Sequence, residues 1–374
     1  MIRRFFGSLA LVALLGLEAC AGPNGLSTAP ARNAGPLASN SAILTFKVFT
    51  AGETPGFPIG AGAYDIAPGP GGTMWFTDGG TPAIGRISSD GIFTEFTQGL
   101  PPGALPDVIV AGPDGNMWFS DNRGVAIGRI TPSGTIVEFS DPSYTNTRAM
   151  GIAFGPHGEP WFLAVGSPSL LGHLTPQGKI GVVPMSSNGA LTADASGNLW
   201  FTRTNYLHSR GEGEVVERTA QGGRLVRFGM RMHIGVLPCC PNHAPKTSAI
   251  GLDGDPWFTT LGYFHESSPR NFLATVKARS VKLVRITHKG LRSGHQFAYT
   301  YPSGLAVGPN DLWITGGAPF FPQGAIWRIN AQGEQVAYSL PYDPLGLGVD
   351  AEGHPWFTAS SFGFPSQIVE VLTY

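Results

Sequence analysis

Histidines and carboxylates are the residues of this chain best suited to chemistry, and many lie close together. Four of the nine histidines fall between positions 208 and 265, among glutamates and arginines. An imidazole beside a carboxylate can bind a metal ion or transfer protons near neutral pH. His243 and His265 are therefore our candidate catalytic residues. The candidate ligand-binding residues are Arg148, His208, Arg231, His233, Tyr263 and Glu266.

The spacing of these residues does not match a compact zinc motif such as His-Glu-x-x-His. An interpretation as ordinary polar loop residues therefore stays open for each of them. The same region contains the adjacent pair Cys239-Cys240. Neighbouring Cα atoms lie about 3.8 Å apart, below the usual disulfide range of about 4.4–6.8 Å, so a bridge between them would be strained. The sequence leaves open whether these cysteines are bridged or free.

A repeated pattern supplies the elements that must position these side chains. Its marker is a tryptophan followed by Phe or Ile, which recurs at intervals of 43, 43, 39, 57, 56 and 43 residues. Apolar residues at consecutive positions predict a strand that packs on both faces. The seven tryptophans, which we assign to the core, are Trp75, Trp118, Trp161, Trp200, Trp257, Trp313 and Trp356.

The clearest repeat predicts four short strands, at residues 107–111, 116–120, 126–130 and 135–139, joined by Gly-rich turns. Four such strands make one blade of a β-propeller. We therefore predict an all-β fold, a seven-bladed β-propeller with four-stranded blades, in one domain at residues 43–374. A strand at 43–50 is expected to pair with the last strand, 367–373, and close the ring. A two-layer sandwich or an open β array is the alternative.

Long connections mark one face of this predicted ring. They join second to third strands, or one blade to the next, and both kinds of connection lie on the same side of a propeller. Long loops on one face of a rigid scaffold are a common place for binding. The connections are residues 202–213, 229–246, 259–279, 315–323 and 358–365.

The N-terminus resembles an export signal. Arg3 and Arg4 precede an apolar run at 5–17 that is too short to span a bilayer. The following Leu17-Glu18-Ala19-Cys20 resembles a bacterial lipoprotein box, which implies lipidation of Cys20. An ordinary cleavage site at Ala19-Cys20-Ala21 is the alternative, and both place the mature protein outside the cytoplasm. We assign residues 1–20 to the signal and 21–42 to a flexible tether.

The charge of the chain indicates which kinds of partner it can bind. The 24 basic and 25 acidic residues give a net charge of −1, which argues against binding to nucleic acid. Only 13% of the residues are charged and 11% are aromatic, as expected of a chain with a large core. We expect a monomer that meets a small molecule or an extracellular partner at the channel mouth, and meets the membrane only through its lipid anchor.

The first two repeats resemble the virginiamycin B lyase family. The shared pattern is Gly-x-x-Trp-Phe-Thr/Ser, then Ile-Gly-Arg-Ile, then Gly-x-Ile/Phe-x-Glu-Phe. It lies at residues 72–77, 84–87 and 91–96, and again at 115–120, 127–130 and 134–139. The resemblance implies a seven-bladed propeller that opens a cyclic depsipeptide by elimination. It also implies a magnesium ion as electrophile and a histidine as base.

The segments that match the family's catalytic positions depart from its pattern. They are Tyr301-Pro302-Ser303-Gly304-Leu305 and Asp343-Pro344-Leu345-Gly346-Leu347, in which Ser303 and Leu345 replace histidines and Asp343 replaces a glutamate. The same place in other repeats is assigned to Asp65, Asp107, Met150, Gly189 and Ser248. Asp65, Asp107 and Asp343 are our candidate metal ligands.

Serine and leucine cannot act as an imidazole base. The sequence therefore favours binding of a ligand or partner at the loop-rich face. Two enzymatic alternatives stay open: a magnesium-dependent lyase of the streptogramin B type, and a lactonase-like, metal-assisted hydrolase. The lyase would combine Asp65, Asp107 or Asp343 with a loop histidine such as His243 or His265, whereas the hydrolase would need several carboxylate and Asn ligands that converge on the channel.

Overall fold

The computed structural model describes residues 44–373, apart from 145–146, 167–168, 185–188, 206–211, 222, 235–246, 264–268, 278–279, 286–300, 318–323 and 360–364. The predicted signal and tether lie outside the described residues, as does Cys20. The described residues form 28 β-strands and a short 3-10 turn, Pro70–Gly72, so the prediction of an all-β fold is confirmed. In this part of the chain, no helix is long and apolar enough to cross a membrane.

Four of the sheets consist of four consecutive antiparallel strands. The first sheet contains β2 (Ala63–Gly69), β3 (Thr73–Asp78), β4 (Ala83–Ile87) and β5 (Phe93–Phe96). The second contains β6 (Pro106–Ala111), β7 (Met117–Asp121), β8 (Val125–Ile130) and β9 (Ile136–Asp141). The third contains β10 (Thr147–Phe154), β11 (Pro160–Gly166), β12 (Leu170–Leu174) and β13 (Ile180–Pro184). The fifth contains β22 (Tyr301–Val307), β23 (Asp311–Gly317), β24 (Gly324–Asn330) and β25 (Gln335–Leu340).

The fourth sheet has eight strands. It contains β14 (Leu191–Ala193), β15 (Leu199–Asn205), β16 (Glu212–Arg218), β17 (Leu225–Ile234), β18 (Ser248–Ile250), β19 (Pro256–Tyr263), β20 (Pro269–Lys277) and β21 (Ser280–Arg285). The long strands β17 and β19 pair where His233 faces Tyr263 and Ile234 faces Gly262. The described residues therefore form six hydrogen-bonded sheets rather than the seven separate blades predicted, because this pairing joins two groups of four strands.

The last sheet brings the two ends of the chain together. It contains β26 (Pro344–Val349), β27 (Pro355–Ala359), β28 (Gln367–Thr373) and β1 (Thr45–Thr50). Strand β1 pairs with β28 in antiparallel orientation, from Thr45 opposite Thr373 to Thr50 opposite Gln367. The predicted partner of β28 is thus present, although the described strand begins at Thr45.

The innermost strands surround a central cavity of about 480 Å³. Its lining comes from β2, β6, β10, β14, β18, β22 and β26, or from residues directly beside them. Each of these strands contacts the next, and β26 contacts β2. A circle of antiparallel sheets around a central channel is a β-propeller.

The repeated aromatic pair forms the core, as predicted. Six of the seven tryptophans are at most 8% exposed, and the following Phe or Ile is at most 1% exposed in every repeat. The turn before each strand helps to fix the indole: Trp200 Nε1 donates to Asp194 Oδ2 at 2.9 Å, and Trp118 Nε1 donates to Asp114 Oδ1 at 3.2 Å. The glycine of Ile-Gly-Arg-Ile lies against this core, because a Cβ at Gly85 would overlap the Phe76 ring.

Much of the extra length predicted as loops lengthens strands instead. Residues 202–205 continue β15, and residues 259–263 and 269–277 belong to β19 and β20. Backbone hydrogen bonding therefore carries these hairpins beyond the length of their counterparts in the first two sheets. The tips of the insertions lie outside the described residues.

Candidate functional site

The first residues of the innermost strands lie together at one end of the central channel, and we call this end the rim. Irregularities in strand register determine how the rim residues are placed. In the first, second and last sheets the shift lies between Ala63 and Ile66, between Pro106 and Ile109, and between Pro344 and Leu347. An extra residue in a strand turns its neighbours away from the regular pleat. The rim residues therefore do not follow the regular antiparallel pairing of the rest of each strand.

Buried hydroxyls on the second strands hold these irregular segments. The backbone N–H of Asp65 donates to Thr77 Oγ1 at 3.1 Å, and that of Gly346 donates to Thr358 Oγ1 at 2.9 Å. Each hydroxyl then donates across to the next sheet: Thr77 Oγ1 to the Asp107 carbonyl at 2.6 Å, and Thr358 Oγ1 to the Tyr64 carbonyl at 2.7 Å. One side chain therefore fixes its own rim segment and the neighbouring one.

The observed strand pairing changes which rim residues of the different repeats are equivalent. Ile66, Ile109 and Leu347 each face the Phe that follows the repeat tryptophan. Counting back two residues, Tyr64 rather than Asp65 is the counterpart of Asp107 and Leu345. Our placement of Asp65 level with Asp107 is therefore wrong by one residue.

The same counting shows that the rim position assigned in the fifth repeat is wrong, and it confirms the rim position assigned in the sixth. Ser248 faces Phe258, so it lies two residues beyond the position to which we assigned it. Leu305 faces Ile314, which leaves Ser303 at the rim position, as predicted. Ser303 Oγ donates to the buried Thr315 hydroxyl at 3.2 Å.

The three candidate aspartates have different surroundings. Asp65 lines the cavity, and its Oδ2 accepts a hydrogen bond from the Ile109 N–H at 3.0 Å. Asp107 Oδ2 is buried and has no hydrogen-bond partner among the described residues. The Asp343 carboxylate lies directly against Gly317 of the fifth sheet. Burial raises the pKa of Asp343 to about 7, so this carboxyl titrates near neutral pH.

These aspartates do not fit a single magnesium ion bound by all three. Within the described residues, only Asp350, His354 and Glu370 place three metal-ligating atoms within 4.8 Å of one another. A carboxylate set that binds Mg²⁺ directly needs oxygens about 2.0–2.1 Å from one ion. The expected magnesium site therefore stays a prediction without a matching cluster among the described residues.

The other candidate residues are placed only in part. His208, His243, His265 and Glu266 lie outside the described residues, as does Cys239-Cys240. The backbones of His233 and Tyr263 face each other where β17 meets β19, and Arg231 precedes them on β17. Arg148 is exposed on β10, opposite Val165. Their proposed roles stay predictions.

A pair of acidic side chains in the first sheet was not predicted from the sequence. Asp78 is fully buried at the rim end of β3, where its Oδ1 accepts hydrogen bonds from the N–H groups of Gly62 at 2.7 Å and Gly80 at 2.8 Å. Burial raises the pKa of Glu95 to about 8, and the negative charge of Asp78 and a hydrogen bond to it act in the same direction. A protonated Glu95 can donate this hydrogen bond to Asp78.

The second sheet repeats the pair with an added cation. Arg123 Nη2 lies 2.7 Å from Asp121 Oδ2 and 2.8 Å from Glu138 Oε1. Burial, with the nearby charge of Asp121, raises the pKa of Glu138 to about 7 although Arg123 opposes the shift. The signal was present in the sequence: both repeats carry Asp three residues after Trp and Glu in the Gly-x-Ile/Phe-x-Glu-Phe segment.

Together, the circle of four-stranded antiparallel units and the rim at the mouth of its channel define a β-propeller with a polar, partly buried entrance. Residues 38–222 match the sequence profile of the Virginiamycin B lyase family. Over this segment the chain is therefore virginiamycin B lyase-like. No curated protein matches it at a significant level.

Solved structures show the same fold. A streptogramin B lyase is 20% identical with a TM-score of 0.66, and the alignment covers 89% of this chain and 100% of that one. Virginiamycin B lyase from Staphylococcus aureus is 20% identical with a TM-score of 0.64, and the alignment covers 88% and 100%. A catalytically inactive variant of that enzyme with quinupristin gives 20% identity, a TM-score of 0.65, and coverage of 88% and 100%.

Proposed function

We propose that this protein is an extracytoplasmic, virginiamycin B lyase-like propeller that binds a small molecule at its rim. We propose also that it does not catalyse the elimination by which virginiamycin B lyases open a cyclic depsipeptide. The observation that carries the proposal is the set of side chains at the equivalent rim positions. In the described residues these are Tyr64, Asp107, Met150, Gly189, Ser303 and Leu345. None is an imidazole that could remove an α-proton at neutral pH.

We also infer that the ring has seven sectors, although the described residues form six hydrogen-bonded sheets. Both halves of the eight-stranded sheet send a short innermost strand to the cavity, β14 in one half and β18 in the other. Only two residue pairs join β17 to β19. The two halves of this sheet are therefore two blades that are hydrogen-bonded to each other through β17 and β19.

The rim favours a ligand with hydrogen-bond donors or a positive charge beside an apolar ring. Tyr64 is 47% exposed, and its ring covers Gly79 at the turn after β3. Asp107 supplies a buried carboxylate oxygen that lacks a partner among the described residues. An aromatic surface beside a few directed polar groups is typical of small-molecule sites.

Isothermal titration with quinupristin tests this proposal. We expect binding, and we expect Tyr64→Ala and Asp107→Asn each to weaken it at least tenfold. Asp90→Asn is the matched control, because Asp90 is exposed in the turn between β4 and β5 on the opposite face. Equal affinity in all four proteins would place the binding site elsewhere.

A second candidate function is acid–base catalysis by Asp343. A carboxyl whose pKa is raised to about 7 by burial is partly protonated and partly ionised at neutral pH. Either enzymatic alternative could use it in place of the missing imidazole. If so, ring opening of quinupristin would rise with a pKa near 7 and would be lost in Asp343→Asn, while Asp90→Asn would retain it.

The proposed location depends on the N-terminal segment. The lipoprotein-like sequence before Cys20 favours a membrane anchor over free secretion. Fractionation of expressing bacterial cells tests this: the protein is expected in the membrane fraction, and Cys20→Ser is expected to abolish lipid incorporation. Cys239→Ser controls for loss of a cysteine alone.

A further inference from the structure

A compact group of metal-ligating side chains lies in the last sheet, away from the rim. His354 Nδ1 is 3.5 Å from Asp350 Oδ2 and 3.9 Å from Glu370 Oε1. Asp350 and His354 lie in and beside the turn between β26 and β27, and Glu370 is on β28 opposite Trp356. All three side chains are partly buried.

These separations are close to those around a small tetrahedral cation. Zinc binds imidazole nitrogen and carboxylate oxygen at about 2.0–2.2 Å, which puts neighbouring ligand atoms about 3.3–3.6 Å apart. The 3.5 Å separation falls within this range, and the 3.9 Å separation is slightly longer. We propose that Asp350, His354 and Glu370 form a zinc site with water as its fourth ligand. A set of one imidazole and two carboxylates also suits other transition metals, but tetrahedral spacing favours zinc.

The backbone already positions the turn for this purpose. The His354 N–H donates to Asp350 Oδ1 at 2.7 Å, and Trp356 Nε1 donates to Asp350 Oδ2 at 2.9 Å. Both bonds hold the Asp350 carboxylate beside the imidazole. Groups that orient a metal ligand in this way strengthen metal binding.

The residue opposite the repeat tryptophan changes its charge in the last sheet. In four other sheets this position is basic, and its side chain lies over or beside the indole. The four residues are Arg86, Arg129, His173 and Arg328. In the last sheet the position is Glu370, which places a carboxylate next to the imidazole of His354.

The eight-stranded sheet provides a natural comparison. Its turn carries Asp194 and Asn198 at the places of Asp350 and His354, and Glu217 lies opposite Trp200. The Asn198 N–H donates to Asp194 Oδ1 at 3.0 Å, as His354 does in its own turn. The turn therefore forms with either residue, and His354→Asn is expected to fold normally while it removes the nitrogen ligand.

The charges around the cluster favour a cation. The carboxylates of Asp350 and Glu352 lie close enough to Glu370 for their negative charges to act on it, and the Lys47 ammonium is the lysine cation beside it. Lys47 Nζ lies 3.8 Å from Glu370 Oε2, the oxygen that faces away from His354. A divalent ion would join the β26–β27 turn to β28, the strand that also pairs with β1.

Titration with zinc chloride tests the site and is independent of the proposed function. Because His and Cys residues outside the described part of the chain could also bind zinc, the parent for all variants is Cys239→Ser/Cys240→Ser. We expect this parent to bind one zinc ion per chain, and His354→Asn and Glu370→Gln each to weaken that binding at least tenfold. His157→Asn is the matched control, since His157 lies in the equivalent turn of the third sheet.

Thermal unfolding supplies the second readout. Zinc is expected to raise the Tm of the parent and of His157→Asn, and to leave the Tm of His354→Asn unchanged. All four proteins should have similar Tm values in EDTA, which shows that the variants fold. Zinc binding that is equally tight in the parent and in His354→Asn, or a parent that binds no zinc, would overturn the proposal.

Discussion

At the scale of single residues, the acid pair of the first sheet makes stability depend on pH. Glu95 keeps its proton up to about pH 8, whereas an unfolded glutamate loses it near 4.5. Between these values the folded state binds more protons than the unfolded state, so the free energy of unfolding falls as the pH rises. In the second sheet Arg123 compensates the equivalent carboxylates.

We therefore predict that Glu95→Gln stabilises the protein at pH 9, where ionised Glu95 would face Asp78. Because Glu95 is only partly buried, solvent screening limits the gain to about 1 kcal/mol. Urea unfolding at pH 5 and pH 9 measures the effect, which should be present only at the higher pH. Glu53→Gln, at an exposed residue, is the control. The same gain at both pH values would contradict the shared-proton interpretation.

The core residues could be predicted from sequence, whereas the rim residues were only partly predictable. A tryptophan and the residue after it are recognisable because the same apolar pair recurs at every strand centre. The rim depends on a local irregularity, and one extra residue shifts the position of every side chain before it. Tyr64 was therefore missed as the counterpart of Asp107, although both repeats were recognised.

At the scale of strands, the hydroxyl two residues after the tryptophan links neighbouring sheets. Thr77→Val keeps the side-chain volume but removes the bonds to the Asp65 N–H and the Asp107 carbonyl. We predict a loss of about 1–3 kcal/mol, because both backbone groups are left without this partner. Chemical denaturation measures it, with the exposed Thr97→Val as control. Equal stability of the two variants would show that the bridging hydroxyl contributes nothing.

Strand boundaries followed closely from the repeat, but the merger of two groups of strands did not. The pattern predicts strands because turns rich in Gly and Pro separate short apolar runs. The pairing of His233 with Tyr263 lies in inserted segments that no other repeat contains. Nothing in those residues alone distinguishes a lengthened hairpin from a polar loop.

At the scale of the whole molecule, β1 completes the last sheet. Phe49 of β1 stacks on Trp356 with ring centroids 5.9 Å apart and lies 5.0 Å from the Phe93 ring of the first sheet. We predict that deletion of residues 1–50 lowers the Tm and produces oligomers, because it removes these contacts and exposes the edge of β28. Size-exclusion chromatography and thermal unfolding measure both effects. Deletion of residues 1–43 is the control, and identical behaviour of the two truncated proteins would contradict this role.

The architecture was largely predictable because it depends on a pattern that is repeated along the chain. The function could not be predicted in the same way, since it depends on single departures from that pattern. Ser303 and Leu345 differ from the family at the positions that would do the chemistry. Fold similarity at 20% identity does not transfer an activity to those residues.

The proposal that this propeller does not catalyse elimination is best tested with quinupristin that has been incubated with the protein and magnesium. Liquid chromatography with mass spectrometry then identifies any product. Elimination gives a linear isomer of unchanged mass and altered retention, whereas hydrolysis adds one water. We expect quinupristin to be recovered intact, with neither product formed. A linear isomer that forms with the wild-type protein and is absent without it would show that the protein is a lyase.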